Sequence, residues 1–254
     1  MSQFDLKGKV ALITGGNGGI GLGMAKGLAT AGCAIMIAGR NAGKSEAAAA
    51  DLAKLGVKTS VVDVDVADET SCKAMVDTTV KQFGRVDILV NNAGISIRKQ
   101  PEAFSIEEWR KVLSINLDGA FYCAQAVYPA LKKSGGGKII NIGSMMSIFG
   151  APFAAPYASS KGGIVQLTKV LATAWAKDNI QVNAILPGWI DTDLTQQARK
   201  DVDGLHDRVL ARTPAGRWGV PDDFSGIAVF LGSKASDFVT GSAIPVCGGY
   251  SVMV

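Results

Sequence analysis

The chain has 254 residues, 48% of them hydrophobic, with 26 Lys and Arg against 22 Asp and Glu and a single histidine, His206. A chain of this length and apolar share can bury a large core as one α/β domain spanning 1–254. Its near-balanced charge, without basic tracts or aromatic–basic interleaving, argues against a nucleic-acid partner, and one histidine is too few for a multi-histidine zinc site, so no metal is expected.

No apolar run approaches the roughly 18 residues of a membrane span, so no membrane partner is expected. The four cysteines, Cys33, Cys72, Cys123 and Cys247, lie far apart without a CxxC pair, and the start MSQFDLKGK lacks the apolar stretch of a signal peptide. A reduced, cytoplasmic protein is expected.

In chain order, VALIT (10–14) reads as a strand and passes directly into TGGNGGIGLGMAKGL. Glycines there permit a tight turn and bring backbone N–H groups close to a pyrophosphate at a helix N-terminus. Gly16, Gly18 and Gly21 fit G-x-G-x-x-G, whereas Gly15, Gly19 and Gly21 fit the wider G-x-x-x-G-x-G. Strand, glycine loop and helix in this order form a dinucleotide signal. The next run, AIMIA (34–38), leads into AGRN. An NAD site usually places an acid here for the ribose 2′-hydroxyl. Ala38 and Gly39 offer no carboxylate, whereas Arg40 can pair with a 2′-phosphate through its planar fork, which favours NADP while leaving NAD open. Gly18 supplies no second cation beside the loop.

The helical stretch EAAAADLAKLG (46–56) is followed by the strand TSVVDV (59–64), just beyond which Asp65 and Val66 are within reach of an adenine edge. SCKAMVDTTVKQFG (71–84) reads as a helix, and VDILVN (86–91) and KIINIG (138–143) as strands. YASSK then places Tyr157 and Lys161 four residues apart, on one face of a helix and one turn from each other. A free phenol near pKa 10 is almost wholly protonated at neutrality. A neighbouring cation stabilises the phenolate, about 1.36 kcal/mol per unit of pKa, so Lys161 is expected to activate Tyr157 as an acid/base. GIVQLTKVLATAWAKDN (163–179) continues the helical signal, and IQVNAIL (180–186) and SAIPV (242–246) complete seven strands. Short β-rich runs alternating with helices indicate a parallel sheet covered on both faces. The polar, poorly periodic stretch 190–217 is either a mobile lid or a pair of short helices.

TGGNGGIG, NNAG (91–94), Asn116, Ser144, YASSK and PGWIDT (187–192) occur in an order and spacing that together resemble the short-chain dehydrogenase/reductase family over essentially the whole chain. The resemblance implies a single-domain Rossmann-type α/β fold, a doubly wound sheet of about seven parallel strands with helices on both faces. It also implies a homotetramer that uses NAD(H) or NADP(H) without metal. Carried over, it makes Tyr157 the acid/base, Ser144 the hydroxyl that positions a carbonyl, Lys161 the ribose-binding ammonium and Asn116 the anchor of a proton-relay water. It assigns the cofactor to Gly15, Asn17, Gly18, Gly19, Ile20 and Gly21, to Arg40, Asn41, Asp65 and Val66, to Asn92, Ala93 and Gly94, to Tyr157 and Lys161, and to Pro187, Gly188, Ile190 and Thr192. NNAG is expected to shape the cofactor-side strand end and not to perform chemistry. One departure is GGNGG, which lacks the basic residue that many NADP-preferring members carry.

Met145, Met146, Phe149, Phe153 and Trp189 follow motif positions that should face a substrate pocket with a partly apolar wall, beside Ser144 and Tyr157. Arg98 and Lys99 offer an anion contact. SMMS, LTQQAR and PAGRWGVPDDFSGIAVFLGSKASDFVTG are similar to the sugar-acid subgroup, such as the 2-dehydro-3-deoxy-gluconate dehydrogenases, so a small-molecule sugar acid, keto sugar or polyol is expected. Acyl-carrier 3-ketoacyl reductases share similar stretches and form the alternative. A catalytically silent dinucleotide sensor is a third reading, against which the intact Ser144, Tyr157 and Lys161 argue.

Overall fold

Each apolar run becomes a strand of one parallel sheet in the computed structural model, which describes residues 2–253; Met1 and Val254, the ends of the expected domain, lie outside the described residues. The elements in chain order are β1 (Val10–Thr14), α1 (Gly19–Thr30), β2 (Ala34–Ala38), α2 (Ala42–Ala53), β3 (Thr59–Val62), α3 (Glu69–Phe83), β4 (Ile88–Asn91), α4 (Ile106–Leu113) and α5 (Gly119–Lys133). They continue with β5 (Gly137–Ile142), α6 (Ala155–Trp175), β6 (Ile180–Pro187), α7 (Asp193–Asp201), α8 (Leu205–Arg212), α9 (Ser225–Gly232) and β7 (Ala243–Val246). The strand order β3-β2-β1-β4-β5-β6-β7 is that of a doubly wound Rossmann-type sheet, as expected.

Two strand boundaries differ from the sequence reading by two residues, while β5, β6 and β7 differ by one at their ends. β3 stops at Val62, not at residue 64, because its partner β2 ends at Ala38 and the last link across is Gly39 N–H to Val62 O, 3.2 Å. β4 begins at Ile88, not at residue 86, because the Asp87 carboxylate accepts from Val10 N (3.0 Å) and Lys9 Nζ (3.0 Å) and is clamped by Arg85.

Residues alternate along each strand between two cores, because successive side chains point to opposite faces. Ala11, Ile13, Ile35 and Ile37 pack with Met24 and Leu28 of α1 and Leu231 of α9. Leu12 and Met36 pack on the other face with Met75, Val127 and Leu171 of α3, α5 and α6. Each fully buried aliphatic side chain contributes about 1.5–3 kcal/mol. A buried polar thread then sets α6 against the sheet: Asn91 Nδ2 donates to Asn141 Oδ1 (2.9 Å), and Asn141 Nδ2 to Thr168 Oγ1 of α6 (2.9 Å).

Of the two readings of 190–217, the structure has the pair of short helices, α7 and α8. Ala198, Leu205, Val209 and Trp218 form their own small core, with Trp189 and Trp218 edge to face at 5.7 Å. His206 is an exposed residue stacked on Trp218, and Trp175 stacks on Tyr128 at the edge of the main core.

Candidate functional site

The glycine loop follows β1 at the point where the strand order reverses, the place where open α/β sheets leave a crevice. Gly15 (φ 63°) and Gly19 (φ 50°) adopt left-handed backbone that favours glycine, and a Cβ on Gly21 would stand 2.5 Å from both Asn92 Nδ2 and Gly15 O. Gly16 and Gly18 carry no such constraint of φ, so the register is Gly15, Gly19, Gly21. Asn92 Nδ2 donates to Thr14 O (3.1 Å) and Gly15 O (3.0 Å), and Asn92 N and Ala93 N both donate to Thr14 Oγ1. NNAG therefore laces β4 to the loop, the shaping role expected of it.

Two clefts open along this loop. The larger, about 580 Å³, is lined by Gly15 and Asn17, by Arg40 and Asn41, by Asp65 and Val66, and by Ala93 and Gly94. The second, about 330 Å³, runs over Gly18, Gly19 and Ile20 to Tyr157 and Lys161, under Pro187, Gly188, Ile190 and Thr192. Every residue assigned to the cofactor except Gly21 lines one of them, and Gly21 lies beneath, against Asn92. The tight turn that Gly15 and Gly19 permit, the N-terminus of α1 and the two clefts fit a nicotinamide dinucleotide. Arg40 is exposed and has no hydrogen bond or ion pair among the described residues. Lys44, which the sequence reading did not single out, lines both clefts.

The catalytic candidates converge at the end of the second cleft. Asn116 sits in a π-helical turn, Ser114–Asp118, between α4 and α5, a rare element often found at functional sites. Its amide donates to Ile95 O (3.0 Å) and Ser160 Oγ (3.1 Å), and its carbonyl accepts from Ile95 N (2.8 Å). Ser144 follows β5, and its Oγ accepts from Met146 N (3.1 Å), starting the short turn Met145–Ser147. Tyr157 and Lys161 occupy successive turns of α6, with Nζ 5.8 Å from the phenol ring centroid. Lys161 Nζ donates to Ile142 O at 2.6 Å. Burial lowers the Lys161 ammonium to about 8.

The electrostatics correct one expectation. Burial pushes the Tyr157 phenol above its usual value, opposed by the Ser144 hydroxyl and by the Arg98 charge. Lys161 does not set the direction, because its ammonium points to Ile142 O and is itself hard to keep charged in a buried position. The protein alone therefore holds the phenol protonated.

Beside Tyr157 lies a pocket of about 90 Å³ lined by Met146, Phe153 and Trp189, by Ser144 and by Arg98. These five substrate candidates are in place with Tyr157, and Met145 lines the pocket as well. Phe149 does not. It turns away to pack edge to face on Tyr250, with Arg212 over its ring, because the turn after Ser144 reverses the chain. Lys99 does not reach the pocket either, being paired with Glu108 Oε1 at 2.5 Å. Arg98 donates to Asp201 Oδ2 (3.2 Å) and Leu194 O (3.3 Å), holding both ends of α7. Ser96, Leu194 and Thr195 also line the pocket. The sequence reading passed over them because nothing in their types distinguishes them from loop residues.

A doubly wound parallel sheet with a glycine loop at its switch point, and a Ser–Tyr–Lys group at the end of the cleft, defines the class of dinucleotide-dependent oxidoreductases. A family model described as enoyl-(acyl carrier protein) reductase matches residues 15–251. The chain is 45% identical over 251 residues, 98% of each chain, to the 2-dehydro-3-deoxy-D-gluconate 5-dehydrogenase of Dickeya dadantii. It is 40% identical over 249 residues to the gluconate 5-dehydrogenase of Gluconobacter oxydans, covering 98% of this chain and 97% of the other. The crystal structure of a gluconate 5-dehydrogenase from Burkholderia cenocepacia in complex with NADP and tartrate superposes with a TM-score of 0.94 at 43% identity, covering 99% of this chain and 98% of that one. The protein belongs to the short-chain dehydrogenase/reductase family. Among the described residues no helix is long and apolar enough to cross a membrane, and none form a cluster suited to a metal ion.

Proposed function

We propose that the protein is an NADP-preferring oxidoreductase that interconverts a secondary alcohol and a ketone on a small sugar acid. The observation that carries this reading is the meeting of Ser144, Tyr157 and Lys161 where the dinucleotide cleft joins a small pocket flanked by Arg98. The bound cofactor supplies or takes the hydride. Ser144 holds the substrate oxygen, and Tyr157 gives that oxygen a proton or takes one from it. Lys161 binds the ribose, and Asn116, whose Oδ1 keeps a lone pair beyond its bond from Ile95 N, anchors the water that refills the proton. Arg98 receives the substrate carboxylate. The names of the relatives support a sugar acid, and the small volume of the pocket does too. A 3-ketoacyl thioester is the second reading, favoured by the apolar wall of Met146, Phe153 and Trp189. A panel of sugar acids, polyols, aldoses and ketoacyl thioesters, assayed with both cofactors at the reduced nicotinamide band, tests the reading. Turnover confined to thioesters would overturn it.

The preference for NADP rests on Arg40. A guanidinium bonded to a 2′-phosphate contributes on the order of 1.5–3 kcal/mol, while the hydroxyl of NAD offers little. Arg40→Ala is expected to raise KM for NADP(H) about tenfold or more and to leave that for NAD(H) within about threefold. Equal changes for the two cofactors would make Arg40 an ordinary loop residue.

In this reading residues 1–254 form one catalytic domain, α7 and α8 act as its substrate lid, and the enzyme works in the cytoplasm. Exposed Phe121 on α5, Val170 on α6 and Val252 in the tail leave apolar surface for further copies of the chain. A homotetramer with twofold axes is the expected assembly. Light scattering at micromolar concentration should give four times the 26.3 kDa chain mass; a monomer mass would exclude this assembly.

A further inference from the structure

Arg40 is not the only cation that faces the adenosine end of the cleft. A Cβ built on Gly18 would stand 3.0 Å from both Cε and Nζ of Lys44. The ammonium therefore occupies the space into which a side chain at position 18 would project, so the cation absent from the glycine loop is delivered there from α2. Its backbone is fixed, because Lys44 N–H donates to the capping Asn41 Oδ1 (3.0 Å), and the neighbouring Ser45 Oγ accepts from Asn17 of the glycine loop (3.0 Å). Lys44 and Arg40 line the same cleft. Lys44 also holds an anion, Asp193 Oδ2 at 3.0 Å, and Asp193 is the first residue of α7. Both side chains are well exposed, 48% for Lys44 and 88% for Asp193, so the pair is weak and exchangeable.

We propose that Lys44 is the second 2′-phosphate-binding cation of this enzyme, and that it exchanges Asp193 for the phosphate when NADP binds. A 2′-phosphate carries close to two negative charges at neutrality, which Arg40 alone does not balance. The inference rests on the NADP reading above and adds a specificity-determining residue to it, together with a link from the adenosine end of the cofactor to α7.

Isothermal titration of the purified protein with NADP+, NAD+, adenosine 2′,5′-bisphosphate and 5′-AMP tests this without turnover. Lys44→Ala should weaken NADP+ and the bisphosphate about fivefold or more and leave NAD+ and 5′-AMP within about twofold. Asp193→Asn, which removes the competing anion, should tighten the two 2′-phosphorylated ligands and leave the others unchanged. A similar loss for all four ligands in Lys44→Ala would place the ammonium at the 5′-phosphate and overturn the proposal, as would no loss for any of them. If the parental protein bound NADP+ and NAD+ alike, the cofactor preference itself would fall. The two adenosine fragments would still read Lys44 directly, with an equal response to both refuting its role.

Discussion

Tyr157→Phe is expected to retain the cofactor and to lose about 10²–10⁴-fold in turnover, the usual worth of a positioned acid/base. The ring that fills the space beside Lys161 remains, so binding and folding are preserved; only the transferable proton is lost. The raised phenol adds a pH signature. The tyrosine is protonated at neutrality, the form that donates to a ketone oxygen, whereas oxidation of an alcohol needs the deprotonated form. The rate of oxidation should therefore rise with pH and the rate of reduction fall, and both trends should vanish in the Phe variant. Parental turnover in Tyr157→Phe, read at the reduced nicotinamide band, would refute the assignment.

Lys161→Met should weaken the cofactor about tenfold and lose on the order of 100-fold in turnover, since the donor assigned to the ribose also sets where the bound cofactor meets Tyr157. The ammonium titrates near 8. Cofactor affinity in the parental protein should hold below that pH and fall as pH rises through it, while the Met variant shows no inflection. The sign for stability runs the other way. A folded-state value lowered from 10.5 means that the fold disfavours the charged form. That cost is fully present below about 8 and fades as pH rises towards 10.5. Methionine removes this cost and also leaves Ile142 O without its 2.6 Å donor. The two changes oppose each other, so thermal unfolding at pH 7 should stay near the parental midpoint. A large fall in that midpoint would mark Lys161 as structural.

Most of the fold was legible because its signals are local. VALIT, AIMIA and IQVNAIL are too short and too β-branched for helices, and each flows into a turn. Their alternation with helical stretches admits few arrangements beyond a parallel doubly wound sheet. The glycine loop and the Tyr157–Lys161 spacing were legible for the same reason, since backbone geometry and helix period act within a few residues. The boundaries of β3 and β4 were not, because a strand ends where its neighbour does, and that neighbour lies elsewhere in the chain.

The sequence by itself determined the sheet, the dinucleotide loop, the catalytic pair on one helix face and the absence of an acid after β2. Only the tertiary structure decided which glycine register is real, that Phe149 and Lys99 leave the pocket, and that Arg98 holds α7 through Asp201. It also decided the direction of the Tyr157 shift, because desolvation depends on everything packed around the phenol and not on the residue four positions away. Lys44 shows the same division most plainly. Gly18 and Lys44 each stand out in no way in the sequence, and the absence of a cation at one is made good by the other only because the fold sets the Lys44 ammonium 3.0 Å from where a Cβ on Gly18 would stand. Local propensity acts over a turn or two of chain, whereas charge and burial act through space, so the site's chemistry was settled by contacts between residues distant in sequence.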